Sequence, residues 1–99
     1  MENTTQHRNS SLQQDVLYVL LKIRARNRNP IPFTAIFTIL NKGRSREIER
    51  PNLRISCRTL VERRLLLKYR DQRTLTVAYT LSDTGKELAE TIRKGREEE

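Results

Sequence analysis

The sequence predicts a mainly α fold with one small β-hairpin, and three observations lead there. Apolar residues recur at helical spacing in several stretches, most clearly Leu53, Cys57, Leu60 and Val61 at i, i+4, i+7 and i+8. The period then changes. From Leu75 the chain alternates, with Leu75, Val77, Tyr79 and Leu81 on one face and Thr74, Thr76, Ala78 and Thr80 on the other, as in a β-strand. Lys68-Tyr69-Arg70 is placed to pair with that strand, and Asp71-Gln72-Arg73 lies near the hairpin tip. Ninety-nine residues leave room for one core and no second.

Each element follows in order. Residues 1–9 are polar and aperiodic and are expected to form a disordered arm, with the domain proper spanning residues 10–94. Ser10 or Ser11 suits the N-cap of a first helix running to about Arg26. Leu12, Val16, Val19, Leu20 and Ile23 make its main apolar face. Leu17, Leu21 and Ala25, beside Tyr18, form a second stripe almost opposite. A helix apolar on two sides is buried on two sides, so the last helix, the hairpin or a second copy of the chain must cover that stripe.

Asn29-Pro30-Ile31-Pro32 is a turn that excludes helix. Thr34 is placed to cap a second helix, Ala35 to Asn41, with Ile36, Ile39 and Leu40 inward and Gly43 ending it. Phe33 or Phe37 should join the core. Arg44 to Arg50 is either an extra helical turn anchored by Ile48 or a loop, and its arginines either contact phosphates or are simply solvated. Asn52, after Pro51, is the expected N-cap of a third helix over about 52–65. The hairpin occupies about 66–81. Ser82 then caps the last helix, Asp83 suits its positive end, and Gly85, Leu88, Ala89 and Ile92 form a narrow inner face. Residues 95–99 are expected to be a frayed acidic tail.

Twenty basic against twelve acidic residues give a net charge of +8. Eleven basic and four acidic residues lie between Lys42 and Arg73, so the excess sits on the third helix, the segment before it and the hairpin. A polyanion is the natural partner of such a surface; the plainer alternative is a soluble charged exterior. One cysteine and one histidine exclude a disulfide framework and an ordinary structural zinc site, and no metal or cofactor is expected. No apolar run approaches the ~20 residues of a membrane span, and no signal-peptide pattern opens the chain, so a cytoplasmic location is expected.

No catalytic set emerges, and the chain reads as a non-enzyme. His7 lies in the polar arm, Cys57 and Glu62 fall on different helix faces, and Asp83 with Glu87 is an ordinary helix-surface pair. Cys57 is either a small core residue or a redox-sensitive thiol.

A basic helix followed at once by a basic hairpin is the layout of a winged helix-turn-helix. The stretch RTLVERRLLLKYRD, followed by AYTLSDTGKEL, resembles the end of the recognition helix, the wing and the next helix start in bacterial regulators of the MarR, HxlR and PadR kinds. Leu60, Leu65, Arg70, Tyr79, Leu81, Ser82 and Gly85 match that pattern, over about residues 50–92. Arg64 stands where those families often carry glycine.

The resemblance implies a sequence-specific, double-stranded DNA-binding transcriptional regulator. Its recognition helix would lie in the major groove and its wing on the backbone or in the minor groove. It places Leu53 and Cys57 inward and Asn52, Arg54, Ile55, Arg58 and Thr59 at or near the groove. Arginine in that position can donate two hydrogen bonds to guanine O6 and N7. Ile55 either packs on a thymine methyl or joins the core. Ser56 either makes a polar contact or tucks against the second helix. Arg63 and Arg64, near the helix end, suit phosphates better than bases or are solvated. On the wing, Lys68, Arg70 and Arg73 are candidate DNA contacts, with Arg73 first for the minor groove; a charged edge strand that resists aggregation is the alternative. The expected assembly is a homodimer through the first helix and the last. A winged-helix protein-interaction module and a non-specific nucleic-acid-binding protein are the competing classes, and discrimination among DNA sequences separates them.

Overall fold

A computed structural model describes residues 9–98, so the expected N-terminal arm, Asn9 apart, lies outside the described residues. The first helix starts where a capping serine allows it. Ser10 Oγ accepts from the Gln13 backbone N–H at 3.2 Å, and Gln13 Oε1 accepts from the Ser10 N–H at 3.0 Å. This reciprocal cap opens α1, Ser11–Arg24.

A two-residue strand follows where a turn was expected. Ile31–Pro32 is β1, and it pairs antiparallel with β3, Val77–Leu81, opposite Tyr79 and Ala78. Pro32 lacks an N–H and so belongs on a sheet edge, which is the place β1 takes. The sheet has three strands in the order β1-β3-β2, with β2 spanning Leu66–Arg70. The hairpin register sets Leu66 opposite Leu81, Lys68 opposite Tyr79 and Arg70 opposite Val77.

Helix α2 spans Phe33–Asn41 and begins directly after Pro32, not after a threonine cap. Ile36 and Leu40 are buried, but Ile39 is exposed, against expectation. The helix is short, and its apolar residues cover more of its circumference than the core does. Residues 44–49 are not helical. Asn41 organises this loop: its Oδ1 accepts from the Ile48 N–H at 2.6 Å and its Nδ2 donates to the Ile48 carbonyl at 3.3 Å.

Helix α3 is Arg50–Glu62, with Glu49 as N-cap and Pro51 within the first turn. The start expected at Asn52 was therefore late. Proline suits the first helical turn, because its missing N–H has no intrahelical acceptor there anyway. The end of α3 explains Arg64. Its φ is +63°, the left-handed region that favours glycine. Arg64 N–H donates to the Val61 carbonyl and Leu65 N–H to the Leu60 carbonyl, both at 2.9 Å, closing the helix in a Schellman turn. An arginine here carries the geometry for which the resembling families use glycine.

Helix α4 is Asp83–Glu97, capped by Ser82 Oγ on the Gly85 N–H at 2.9 Å. It runs through Gly95, so the fraying expected from residue 95 is not observed within the described residues. Glu97 holds the last turn to α1, accepting from the Tyr18 hydroxyl at 2.9 Å and Lys22 Nζ at 3.1 Å. The Tyr18 hydrogen bond, with those from Lys22 and Arg93, holds the Glu97 carboxyl below its ordinary range.

One core joins all these elements, and α1 lies at its centre. Leu17 is 0% exposed and Leu21 is 8% exposed within the single chain. Leu17 and Leu21 of the second stripe are thus internal core, with α4 packed along the helix, while Ala25 is exposed beyond the end of α1. A second copy is not needed to cover the two leucines, which removes the reason for placing a dimer interface there.

Candidate nucleic-acid interface

Helix α3 has a buried side and an outer side, and the buried side fixes the rotation. Leu53, Cys57 and Leu60 are fully buried, one turn apart. Arg54 and Arg58 follow Leu53 and Cys57 by one position each and are exposed, as is Asn52. Ile55 lies on the same outer side and is 54% exposed, so it does not join the core. Thr59 is half-buried at its margin.

Two aromatic rings of α2 organise the arginines. Phe33 and Phe37 stack with centroids 6.4 Å apart. The Arg54 guanidinium lies over Phe33 and that of Arg50 over Phe37, each 4.5 Å from the ring centroid. A cation held on a π-face costs less to order when it binds, because the ring restricts the side chain beforehand.

Two expected site residues are turned away from this surface. Ser56 is 7% exposed, tucked into the core side of α3, and does not present its hydroxyl outward. Arg63 reaches back to α1, where Nη1 donates to Asn9 Oδ1 at 2.7 Å and to Gln13 Oε1 at 3.2 Å. Its guanidinium ties the end of α3 to the start of α1. Neither residue joins the basic face.

The wing packs beside α3 through β2. Lys68 and Arg70 are exposed on β2, and Arg73 is exposed in the hairpin loop. The loop is held by Asp71. Its Oδ1 accepts from the backbone N–H groups of Arg73 at 2.8 Å and Thr74 at 3.2 Å, while its own N–H donates to the Thr76 carbonyl at 2.9 Å. Regular pairing in β3 begins at Val77. Leu75, expected to open the strand on the same face as Val77, Tyr79 and Leu81, is instead in the loop and 66% exposed.

Sequence reading left Arg50 in the segment before the third helix, as a phosphate contact or a solvated side chain, whereas it is the first residue of α3. The signal was present: taking Pro51 as a first-turn residue starts the helix earlier and sets Arg50 one turn from Arg54.

Burial pushes the Cys57 thiol up to about 12, against a smaller lowering effect from Arg54. A thiol so disfavoured as thiolate is a core residue and not a reactive one. Among the described residues no cluster of histidine, cysteine and acidic side chains could hold a metal ion, and no helix is long and apolar enough to cross a membrane.

Four helices, a β-hairpin beside the third and a short strand completing the sheet define a winged helix-turn-helix domain. Solved structures carry the same arrangement. The chain is similar to the adhesin competence repressor AdcR from Streptococcus pyogenes, with a TM-score of 0.72 and 18% identity over 94% of this chain and 61% of that one. It is similar to RosR of H. salinarum, with a TM-score of 0.72 and 22% identity over 88% of this chain and 73% of that one. It also resembles a S. aureus MepR variant bound to an oligodeoxyribonucleotide, with a TM-score of 0.70 and 20% identity over 90% of this chain and 59% of that one. The chain spans about three fifths of the AdcR and MepR chains it matches. No protein-family model matches the chain, and neither does any curated protein.

Proposed function

We propose that this domain binds double-stranded DNA in a sequence-specific way and regulates transcription, with α3 in the major groove and the wing on the backbone or in the minor groove. The observation that carries the reading is the outer side of α3. There Asn52, Arg54, Ile55 and Arg58 stand exposed together, with Arg54 braced on Phe33, beside a wing bearing Lys68, Arg70 and Arg73. An α-helix fits the major groove, and these side chains match its chemistry: arginine for guanine, asparagine for adenine, an apolar group for the thymine methyl. The wing cations supply phosphate contacts, which position the protein without reading bases. The likeness to a fold solved on DNA supports the same reading.

A homodimer is the proposed working unit, since two copies bound to a symmetric site extend the sequence that each one reads alone. Leu17 and Leu21, being internal, have no part in its interface.

Selection from a random duplex library, followed by competition with non-specific DNA, tests the proposal. One enriched motif, bound at least about a thousandfold more tightly than random duplex, supports it. Equal affinity for all duplexes would make the protein a non-specific nucleic-acid binder. No duplex binding at all would leave the basic face as a protein-docking surface.

A further inference from the structure

Leu75 is the odd residue of the wing. Its φ is +60°, a left-handed conformation that costs a leucine free energy and costs glycine or asparagine little. Burial of the side chain does not offset that cost, because it is 66% exposed; the backbone bonds that close the loop do. The loop holds Leu75 firmly in place. Leu75 N–H donates to the Asp71 carbonyl at 2.7 Å, and Thr74 and Thr76 hydroxyls are joined at 2.8 Å on either side of it. The result is an apolar side chain held in the hairpin loop, more exposed than Leu67 (45%) and Tyr69 (47%) on β2, in a hairpin whose other exposed groups include Lys68, Arg70 and Arg73. The one acid of the loop, Asp71, directs its carboxylate to the backbone of the loop itself.

A leucine set among Lys68, Arg70 and Arg73 is a poor match for an apolar protein groove, since docking there would desolvate the charges around it. It is a good match for a duplex. The cations meet phosphates on the two strands, while the apolar group meets the flat edge of a base step. We propose that Leu75 is an apolar wedge that enters the minor groove at the flank of the site and partly unstacks one base step. This rests on the DNA-binding reading above. The wedge makes the wing sensitive to sequence through deformability, so pyrimidine–purine steps, which unstack most easily, are favoured beneath it.

The test uses the preferred duplex with 2-aminopurine, which brightens when unstacked, placed at successive flanking steps. Affinity is followed separately by gel mobility. The wild-type protein should brighten one flanking probe. Leu75→Asn, which tolerates the left-handed backbone, should melt no lower than wild type, leave every probe dark and bind about tenfold more weakly. Arg73→Ala should weaken binding and still brighten the probe when the site is saturated. If wild type saturates the site with every probe dark, or if Leu75→Asn brightens the same probe equally, the wedge is wrong and the DNA-binding reading stands. If wild type shifts no duplex, both fall.

Discussion

Replacing Gly85 by alanine is a perturbation with a cost that can be worked out atom by atom. The new Cβ would lie 1.9 Å from the Leu65 carbonyl oxygen and 2.8 Å from its carbonyl carbon. Carbon and carbonyl oxygen pack no closer than about 3.3 Å, so α4 and the turn after α3 would have to part by roughly 1.4 Å. Backbone cannot rotate out of the way as a side chain can. The bonds that knit this junction would stretch with it: Ser82 N–H to the Leu65 carbonyl at 3.1 Å, and Ser82 Oγ to the Arg64 carbonyl at 2.6 Å. Losing two such bonds costs about 0.5–1.5 kcal/mol each, and forced overpacking costs about 1–3 kcal/mol. Alanine recovers roughly 1 kcal/mol of helix propensity. The net is about 3 kcal/mol of lost stability, or a fall in melting temperature of roughly 10–25 °C for a domain of this size.

Thermal melts followed by far-ultraviolet circular dichroism measure it, with Gly95→Ala as the control. Gly95 lies in the same helix, and an added Cβ there meets nothing within 4 Å. That variant should gain about 0.5–1 kcal/mol. A Gly85→Ala protein melting at or above wild type would show that the junction is looser than its geometry states, and the argument from close approach would fail.

The remaining predictions concern the basic face, the core of α1 and the thiol. Arg54→Ala or Arg58→Ala should weaken the preferred site by about 1–3 kcal/mol and relax specificity at one or two positions, as competition assays will show. Arg73→Ala should weaken preferred and random duplexes more nearly alike and make the slope of log affinity against log salt shallower by about one unit. Leu21→Glu should unfold the domain in circular dichroism, since it buries an unpaired carboxylate; a folded monomer by light scattering would restore α1 as a dimer surface. Cys57 should react with a thiol reagent only as fast as the domain unfolds. Its pKa is raised on folding, so its contribution to stability is complete below pH 9.0 and falls away as pH climbs toward about 12. Cys57→Ala should flatten that part of the alkaline decline, and an unchanged decline would mean that the thiol is not buried as described.

The helices and the hairpin were legible because their signals are local. Ser10 with Gln13, Ser82 with Gly85, and the stripe of Leu53, Cys57 and Leu60 all lie within one or two turns of chain. What the sequence could not show depends on partners distant along it. Strand β1 exists because Ile31 and Pro32 find Tyr79 and Ala78 across the sheet, and no two-residue segment carries an alternation to detect. Leu17 and Leu21 of the second stripe were correctly read as buried, while Ala25 is exposed at the end of α1. Whether α4 or another copy covers the two leucines is a question of tertiary packing, which periodicity does not address.

The same distinction explains why the exposed basic face was only half legible. Arg54 and Arg58 are one position beyond buried residues on a regular helix, so the rotation that buries Leu53 and Cys57 also carries them outward. Ser56 is caught by the opposite consequence, since it directly precedes Cys57 and is small enough to be enclosed there. Arg63 is the C-cap residue of α3, where helical phase no longer dictates direction. Its side chain follows the acceptors within reach, and those are Asn9 Oδ1 and Gln13 Oε1 at the start of α1. A guanidinium with two amide acceptors on its own fold gains less from a phosphate than one braced on an aromatic ring with its donors free. The basic charge of the chain therefore divides by tertiary contact into arginines that hold the domain together and arginines left exposed on the face proposed to bind DNA. Arg63 belongs to the first group, and Arg58 and Arg73 to the second. Arg54 belongs to both, because it is exposed while its guanidinium lies over the Phe33 ring.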